Sequence, residues 1–302
     1  MNILVAGASG LIGKAITVAL ENDGHKVYPL IRNKRQGPFH YIQEKDEISL
    51  DNSIPLDVII NLAGVNISER RWSKAIKNQI VDSRIRTTIA ISREIANLEK
   101  KPNVFLSASA IGYYGNDSKA ITSESSPAGS DFLAQLSVDW EKATEPAQAA
   151  GIRTCILRFG LVLSPRGGLI KNLLLPLRLA CVGPIGSGDQ ILSWISLQDT
   201  ISIMQTVIES NSFHGPINLV SNHPVSSRHF SEALSSAIGR PALPRIPEKI
   251  VRLMFGELAD AALLANANIT STRINELGAT LKHTNLLECL NDIMGKQSIL
   301  QE

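Results

Sequence analysis

The sequence predicts a doubly wound α/β fold, a parallel sheet with helices on both faces, followed by a small, mostly helical lobe. Three observations predict it. Short apolar runs alternate with longer stretches of helical period over the first 240 residues, the pattern of strands joined by crossover helices. The first run ends in Gly7-xx-Gly10-xx-Gly13, a strand-turn-helix signature. After Gly239 the texture changes to Arg240-Pro-Ala-Leu-Pro-Arg-Ile-Pro, a proline-rich linker.

The run Ile3-Leu-Val-Ala6 reads as a buried parallel strand. Gly7 supplies the tight turn, Gly10 the point where backbone must approach a diphosphate, and Gly13 a close helix-to-strand contact. Leu11, Ile12, Ala15, Ile16, Ala19 and Leu20 form a helical stripe over 11–22, which Gly24 stops. An anion is favoured at that helix N-terminus by unpaired N–H groups and the dipole. The residues lining it would be Gly7, Ser9, Gly10, Leu11, Ile12 and Gly13.

The second strand, Lys26-Val-Tyr-Pro-Leu-Ile-Arg32, ends in a base, with Asn33, Lys34 and Arg35 behind it and no acid. An Asp or Glu there takes the ribose 2′-OH of NAD, whereas an arginine accommodates the 2′-phosphate of NADP. A guanidinium matches phosphate through two parallel bonds. The reading is NADP(H) over NAD(H), against the plainer alternative of a solvated loop.

Further strands are expected at 58–61, 104–107, 154–159 and 217–219, with helices at 73–98, 132–150, 169–180, 198–209 and 227–238. Asp131 is placed to cap the helix at 132. Crossovers in such sheets are right-handed and ligands lie outside the carboxyl ends of the strands. Those ends carry Asn61-Leu-Ala-Gly64, Ser107-Ala-Ser-Ala-Ile-Gly-Tyr-Tyr-Gly115 and Arg158-Phe-Gly-Leu-Val162. Small residues at Asn61 to Gly64 let backbone pass close to a ligand. Lobe helices are expected at 248–255, 257–265, 271–277 and 285–294, with Gly278 after the third. The expected division is a dinucleotide-binding domain over 1–239 and a helical domain over 240–302 that covers the substrate cleft.

Composition narrows the function. The 302 residues carry a net charge of +2, and Arg70-Arg71-Trp72 is too short to be the basic stripe that nucleic acid requires. Cys155, Cys181 and Cys289 are scattered, and the six histidines include no HExxH, so neither a disulfide framework nor a metal site is expected. The most apolar long stretch, 173–183, is broken by Pro176 and Arg178 and falls short of the roughly 20 residues a membrane span needs. A strand entered at residue 3 leaves no room for a signal segment, so the expected compartment is the cytoplasm. The expected partner is a small-molecule substrate. A protein partner and the oligomeric state stay open.

Taken together, the Gly7, Gly10, Gly13 triplet, Asn61-Leu-Ala-Gly64, the segment ending in Tyr113-Tyr114-Gly115, and Gly186-Ser-Gly-Asp-Gln-Ile-Leu-Ser-Trp194-Ile resemble an extended or atypical short-chain dehydrogenase/reductase. More narrowly, the chain is similar to the epimerase family of nucleoside-diphosphate-sugar epimerases with an added C-terminal domain of unknown function. Some members are labelled cell-division inhibitors. The likeness extends to Arg71-Trp72, Ser83-Arg84, Asp139-Trp140-Glu141 and Leu174-Leu-Pro-Leu-Arg178. It implies an NADP-binding Rossmann fold and no particular reaction. It also implies Arg32 and Asn33 as 2′-phosphate contacts, Leu62, Ala63 and Gly64 beside the adenosine and ribose, and Arg84 and the backbone near Val162 as further cofactor contacts.

Such enzymes use a Ser, a Tyr and a Lys. The Tyr moves the substrate proton, the Lys lowers its pKa, and the Ser binds the reacting oxygen. The resemblance gives the Ser a counterpart in Ser109, but neither Tyr nor Lys occurs between Lys119 and Lys142, where Tyr-xxx-Lys would open a helix. Two readings follow. In one, Tyr113 or Tyr114 acts as acid/base beside Ser109 in an NADP-dependent oxidoreductase or epimerase. In the other, the chain is a catalytically silent NADP(H) sensor or scaffold, linked to cell division through the resemblance. Asn66, Arg71, Trp72, Arg166, Gln190 and Trp194 would suit the pocket of a polar or anionic organic substrate, with Arg166-Gly-Gly168 and the glycine-rich 184–190 loop beside it.

Overall fold

The strand β1 (Asn2–Ala6) is apolar on both faces and buried on both, with Ile3, Leu4, Val5 and Ala6 at most 2% exposed. It sits inside the main sheet. The computed structural model describes residues 1–32, 37–68, 70–171, 183–240 and 245–298. After β1 come α1 (Leu11–Asn22), β2 (Lys26–Arg32), a hairpin of β3 (Phe39–Ile42) and β4 (Glu47–Leu50), β5 (Val58–Asn61) and α2 (Lys74–Asn97). The middle of the chain holds β6 (Val104–Ala110), a 3₁₀ turn (Ile111–Tyr114), β7 (Asp117–Thr122), α3 (Phe132–Lys142), α4 (Glu145–Ala149), β8 (Arg153–Phe159) and β9 (Leu161–Leu163). Then follow β10 (Ile191–Leu192), β11 (Trp194–Ser196), α5 (Leu197–Glu209), β12 (Gly215–Leu219), β13 (Val225–Ser226) and α6 (Ser227–Ala237). The last part contains α7 (Glu248–Phe255), a π-helical turn (Ala259–Leu263), β14 (Asn266–Ile269), α8 (Arg273–Glu276) and α9 (Leu286–Ser298).

The main sheet runs β12-β8-β6-β5-β1-β2-β3-β4, parallel except for the β3–β4 pair. Winding reverses between β1 and β5, which opens a crevice at their carboxyl ends. One sheet face carries Ile3, Val5, Ile60 and Leu106 against Ile16 and Leu20 of α1 and Ile203, Met204 and Val207 of α5. The other carries Leu4, Ile59 and Phe105 against Ile91 and Ile95 of α2 and Ala147 of α4. A separate core packs Trp194 and Leu163 against Phe230 and Leu234 of α6 and Leu286 and Leu290 of α9.

The alternating order matches the sequence reading, with instructive differences. The hairpin β3–β4 was not expected: its strands are four residues long and half of their residues are polar or charged, too short a pattern to stand out. The expected helix over 132–150 is two helices, α3 and α4, because Pro146 stands in the first turn of α4 and has no N–H to continue α3. The strand expected at 104–107 runs on to Ala110 through small residues that resemble a turn. The helix expected at 257–265 is only a π-helical turn, after which β14 pairs in parallel with β7, so the C-terminal region is not purely helical. The segment expected at 271–277 shortens to α8, and Gly278 after it takes φ +74. The expected helix 169–180 is described only to residue 171, and Cys181 and linker residues 241–244 lie outside the described residues. Among the described residues, no helix is long and apolar enough to cross a membrane.

The α1–β1 junction is the tightest backbone contact in this part of the fold. A Cβ on Gly13 would stand 2.1 Å from the Gly7 carbonyl oxygen and 2.8 Å from Ala8 Cα, and neither can step aside as a flexible side chain could. Gly24 is different, with φ +80 and nothing within 4 Å. Gly13→Ala is therefore expected to cost at least about 2 kcal/mol through overpacking, against about 1 kcal/mol for the purely conformational strain of Gly24→Ala. Urea denaturation of the two variants should rank them in that order.

Candidate functional site

Gly7 leaves β1 with φ +81, and a Cβ there would lie 2.6 Å from the Leu62 carbonyl oxygen. The turn after β1 is therefore pressed against the Leu62-Ala63 backbone, and the Leu62 N–H donates to the Ala6 carbonyl at 2.9 Å. Gly10 is the N-cap of α1, offers no side-chain cap, and is followed by a first turn without acidic residues. The first N–H groups of the helix consequently keep no side-chain acceptor, and the positive dipole end stands at the crevice. Ser9 and Gly10 are exposed, Leu11 and Ile12 half-buried, and Gly13 buried. A Cβ at Gly167 would meet Leu11 Cδ1 at 3.0 Å, and one at Gly168 would lie 3.7 Å from the Val162 carbonyl oxygen. The glycine turn, Leu62 to Gly64 and Val162 thus converge on one crevice.

Two arginines border it in opposite states. Arg32 is exposed at the end of β2, next to Tyr41 in the β2–β3 register, with no carboxylate partner among the described residues. Asn33 lies outside the described residues. Arg84, on α2, is half-buried and donates from Nη1 to the Ile80 carbonyl at 3.2 Å and from Nη2 to the Val65 carbonyl at 3.1 Å. Its guanidinium lies against Gly64, where a Cβ would be 3.2 Å from Cζ, and over the Trp140 ring at 5.1 Å. Burial lowers its pKa to about 10. Among the described residues no carboxylate pairs with it, so a desolvated cation is left beside the carboxyl end of β5.

A second cluster forms at the ends of β6, β8 and β12. Ser109 and Arg158 are neighbours in the β6–β8 register. The Ser109 hydroxyl donates to Glu141 Oε1 at 2.7 Å. Arg158 grips the same carboxylate through Nε to Oε1 and Nη2 to Oε2, both at 2.8 Å. Its Nη1 donates to the Tyr114 hydroxyl at 2.8 Å, and that hydroxyl donates to Asn218 Oδ1 at 2.8 Å. The guanidinium face lies 3.5 Å from the centre of the Tyr113 ring, which meets Tyr114 edge-on at 5.2 Å. Burial by itself would lower the Arg158 pKa, but the bonds to Glu141 and its charge outweigh it and hold the guanidinium above its ordinary value. Burial raises the Tyr114 pKa against the opposing pull of Arg158, which keeps the phenol neutral.

Ser109, Tyr113 and Tyr114 are thus brought together, in different states. Ser109 and Tyr114 are 2% and 7% exposed and fully engaged. Tyr113 is half-buried, and its hydroxyl has no protein partner among the described residues. Sequence reasoning gave no role to Glu141, Arg158 and Asn218, although a charge inside Cys-Ile-Leu-Arg158-Phe is itself the mark of a buried pair. The helix opening that lacks Tyr-xxx-Lys is apolar: a Cβ on Gly112 would be 3.3 Å from Leu133 Cβ, and Phe132 packs edge-on against Trp72 at 5.4 Å. Lys77 reaches over Phe132 at 4.8 Å and pairs with Glu257.

The expected substrate-side residues do not form one wall. Trp194 is fully buried in the core, with its indole N–H donating to the His223 carbonyl at 3.0 Å. Trp72 donates to the Ile67 carbonyl, and Asn66 closes a turn onto Ser68. Arg71 lies against Gly256, and Arg166 belongs to the loop over Leu11. Gln190 lines a cavity that opens beside Asn116, just beyond the tyrosine turn.

The sequence model of the NAD dependent epimerase/dehydratase family matches residues 3–219. The chain belongs to that family. An epimerase family protein of Mycobacterium bovis is 38% identical over 290 residues, 95% of this chain and 96% of its own. The crystal structure of human epimerase family protein SDR39U1 (isoform 2) with NADPH superposes with a TM-score of 0.88 at 30% identity, covering 98% of this chain and 99% of that one. A nucleoside-diphosphate sugar epimerase from Corynebacterium glutamicum gives 0.79 at 29% identity, covering 98% of this chain and 58% of its own. As a member of this epimerase family the chain has a Rossmann-like fold, with the crevice at the carboxyl ends of β1 and β5.

Breaking the Glu141–Arg158 pair from one side leaves a buried charge alone. The Glu141→Gln variant is expected to lose about 3 kcal/mol of stability. Adding Arg158→Met should cost much less than the sum of the single changes, because the orphaned charge is then gone. Urea midpoints of the four proteins in this cycle give the coupling.

Proposed function

We propose that this epimerase-family protein binds NADP(H) and performs oxidoreductase or epimerase-type chemistry on an unidentified small molecule. The observation that carries the reading is the α1 N-terminus: glycine-capped, free of acids, and facing Leu62 to Gly64 and Val162 across the crevice. Main-chain N–H groups of Leu11 and Ile12, with Ser9 beside them, would hold the diphosphate, with Gly7, Gly10 and Gly13 permitting the approach. Arg32, together with Asn33 as the resemblance implies, would take the 2′-phosphate. Arg84 supplies positive charge next to Gly64 that no protein carboxylate neutralises among the described residues. The human relative's complex with NADPH supports this choice of cofactor.

When bound, the nicotinamide supplies a hydride donor or acceptor. The residues nearest that role in this reading are Ser109 and Tyr113. Tyr114 is the weaker acid/base choice, because its hydroxyl already donates to Asn218, accepts from Arg158 and is held neutral by burial. Tyr113 keeps an uncommitted hydroxyl beside the same guanidinium. Ser109 would orient through Glu141. The division into a nucleotide-binding domain over 1–239 and a covering domain over 240–302 belongs to the same proposal, supported by the packing of α9 on α6 and of β14 on β7.

Calorimetry tests the cofactor. Arg32→Ala should weaken NADPH about 10- to 100-fold, the value of losing a charge-assisted contact, and leave NADH binding unchanged. Equal affinity of the native chain for NADH and NADPH would refute the assignment. Chemistry is tested by NADPH oxidation with a panel of sugar nucleotides, ketones and quinones. Tyr113→Phe and Ser109→Ala should abolish turnover without loss of NADPH binding. Tight cofactor binding with no turnover and a co-purifying protein would favour the silent sensor instead.

A further inference from the structure

A cavity of about 760 Å³ opens beyond the tyrosine turn, within the size range of small-molecule sites. Asn116, the second residue past Tyr114, stands on its rim, and its carbonyl accepts the Asn266 N–H at 3.0 Å. Asn266 in turn accepts the Ile191 N–H through Oδ1 at 3.1 Å. The wall is therefore tied to the site described above by β14 and β10, and the inference rests on that site being the catalytic one.

The charges of this wall have one sign in excess. Asp189, Glu248 and Asp260 line it, and Arg252 is the one cation that does so among the described residues. That guanidinium is already committed: Nε donates to Asp260 Oδ1 at 2.9 Å, and Nη1 lies 3.0 Å from Glu248 Oε2. Arg228, outside the lining, pairs with Asp189 at 3.7 Å and donates to the Ser187 carbonyl. Among the described residues lining the cavity, a diphosphate entering here would meet three carboxylates and no unengaged base. Carboxylate and amide oxygens, by contrast, are good acceptors for hydroxyl groups. We infer that this cavity takes an uncharged, hydroxyl-rich substrate and rejects nucleoside diphosphates. The specificity device is the clamp of Glu248 and Asp260 on Arg252, which withholds from phosphate the guanidinium that lines the cavity among the described residues.

The test uses the full-length chain saturated with NADPH, with calorimetry and thermal shift as readouts. Uncharged pentoses, hexoses and their polyols are the positive probes, and UDP-glucose and UDP the negative ones, all at millimolar concentration. At least one uncharged probe should bind while UDP-glucose and UDP do not. Glu248→Gln combined with Asp260→Asn frees Arg252 and should raise UDP-glucose affinity about tenfold, the product of two half-screened carboxylates. All three residues are exposed, and unchanged NADPH affinity verifies the variant's fold. Micromolar binding of UDP-glucose by the native protein, no effect of the double substitution, or no binding of any uncharged probe would each overturn the inference. Failure of NADPH itself to bind is a separate result that strikes the cofactor reading; the probe arms are then read on the chain alone.

Discussion

The approach of one backbone to another at the first turn governs the rest of this molecule. Gly13 lets α1 descend onto the Gly7 carbonyl, and Gly7 lets β1 close on the Leu62 backbone. Both contacts are shorter than any side chain would allow. They set the distance between the first helix and the β1–β5 crevice, and hence bring the uncapped N–H groups of α1, the Leu62 to Gly64 turn and the loop after β9 around one volume. The apolar cores on both sheet faces hold that arrangement but do not determine it.

A second constraint organises the other side of the crevice. The Glu141–Arg158 pair costs desolvation, which is offset because each of the three guanidinium nitrogens donates a hydrogen bond and the guanidinium face meets a ring. Those bonds tie together β6, α3, β8 and β12 at the carboxyl ends of the strands. It also divides the two tyrosines: one is a strut between Arg158 and Asn218, and the other lies on the guanidinium with its hydroxyl uncommitted.

Much of this was legible in the residues. The strand-turn-helix at the start, the alternation of elements and the basic end of β2 follow from local pattern, since a buried parallel strand and an amphipathic helix each have their own period. The phenol that shares a buried network could not be told from its neighbour by sequence, because Tyr113 and Tyr114 differ only in which side of a 3₁₀ turn they occupy. The hairpin at 39–50 and the β7–β14 pair escaped for another reason: short strands with mixed polarity are specified by their partners rather than by their own pattern, and for β7 and β14 those partners are distant in the chain. Trp194 and Arg84 show the same limit, one an aromatic residue that belongs to a core and the other an arginine without a counter-ion among the described residues.

The β7–β14 pairing joins Asp117 to Asn266 across almost half the chain. Contacts of such range form slowly, because a long loop must close before any bond rewards it. During synthesis the β1–β5 crevice, built from the first two-thirds of the polypeptide, is able to assemble while β14 is still being translated. A nascent chain therefore passes through a stage in which the β1–β5 crevice has formed while the β7 edge still lacks its partner strand.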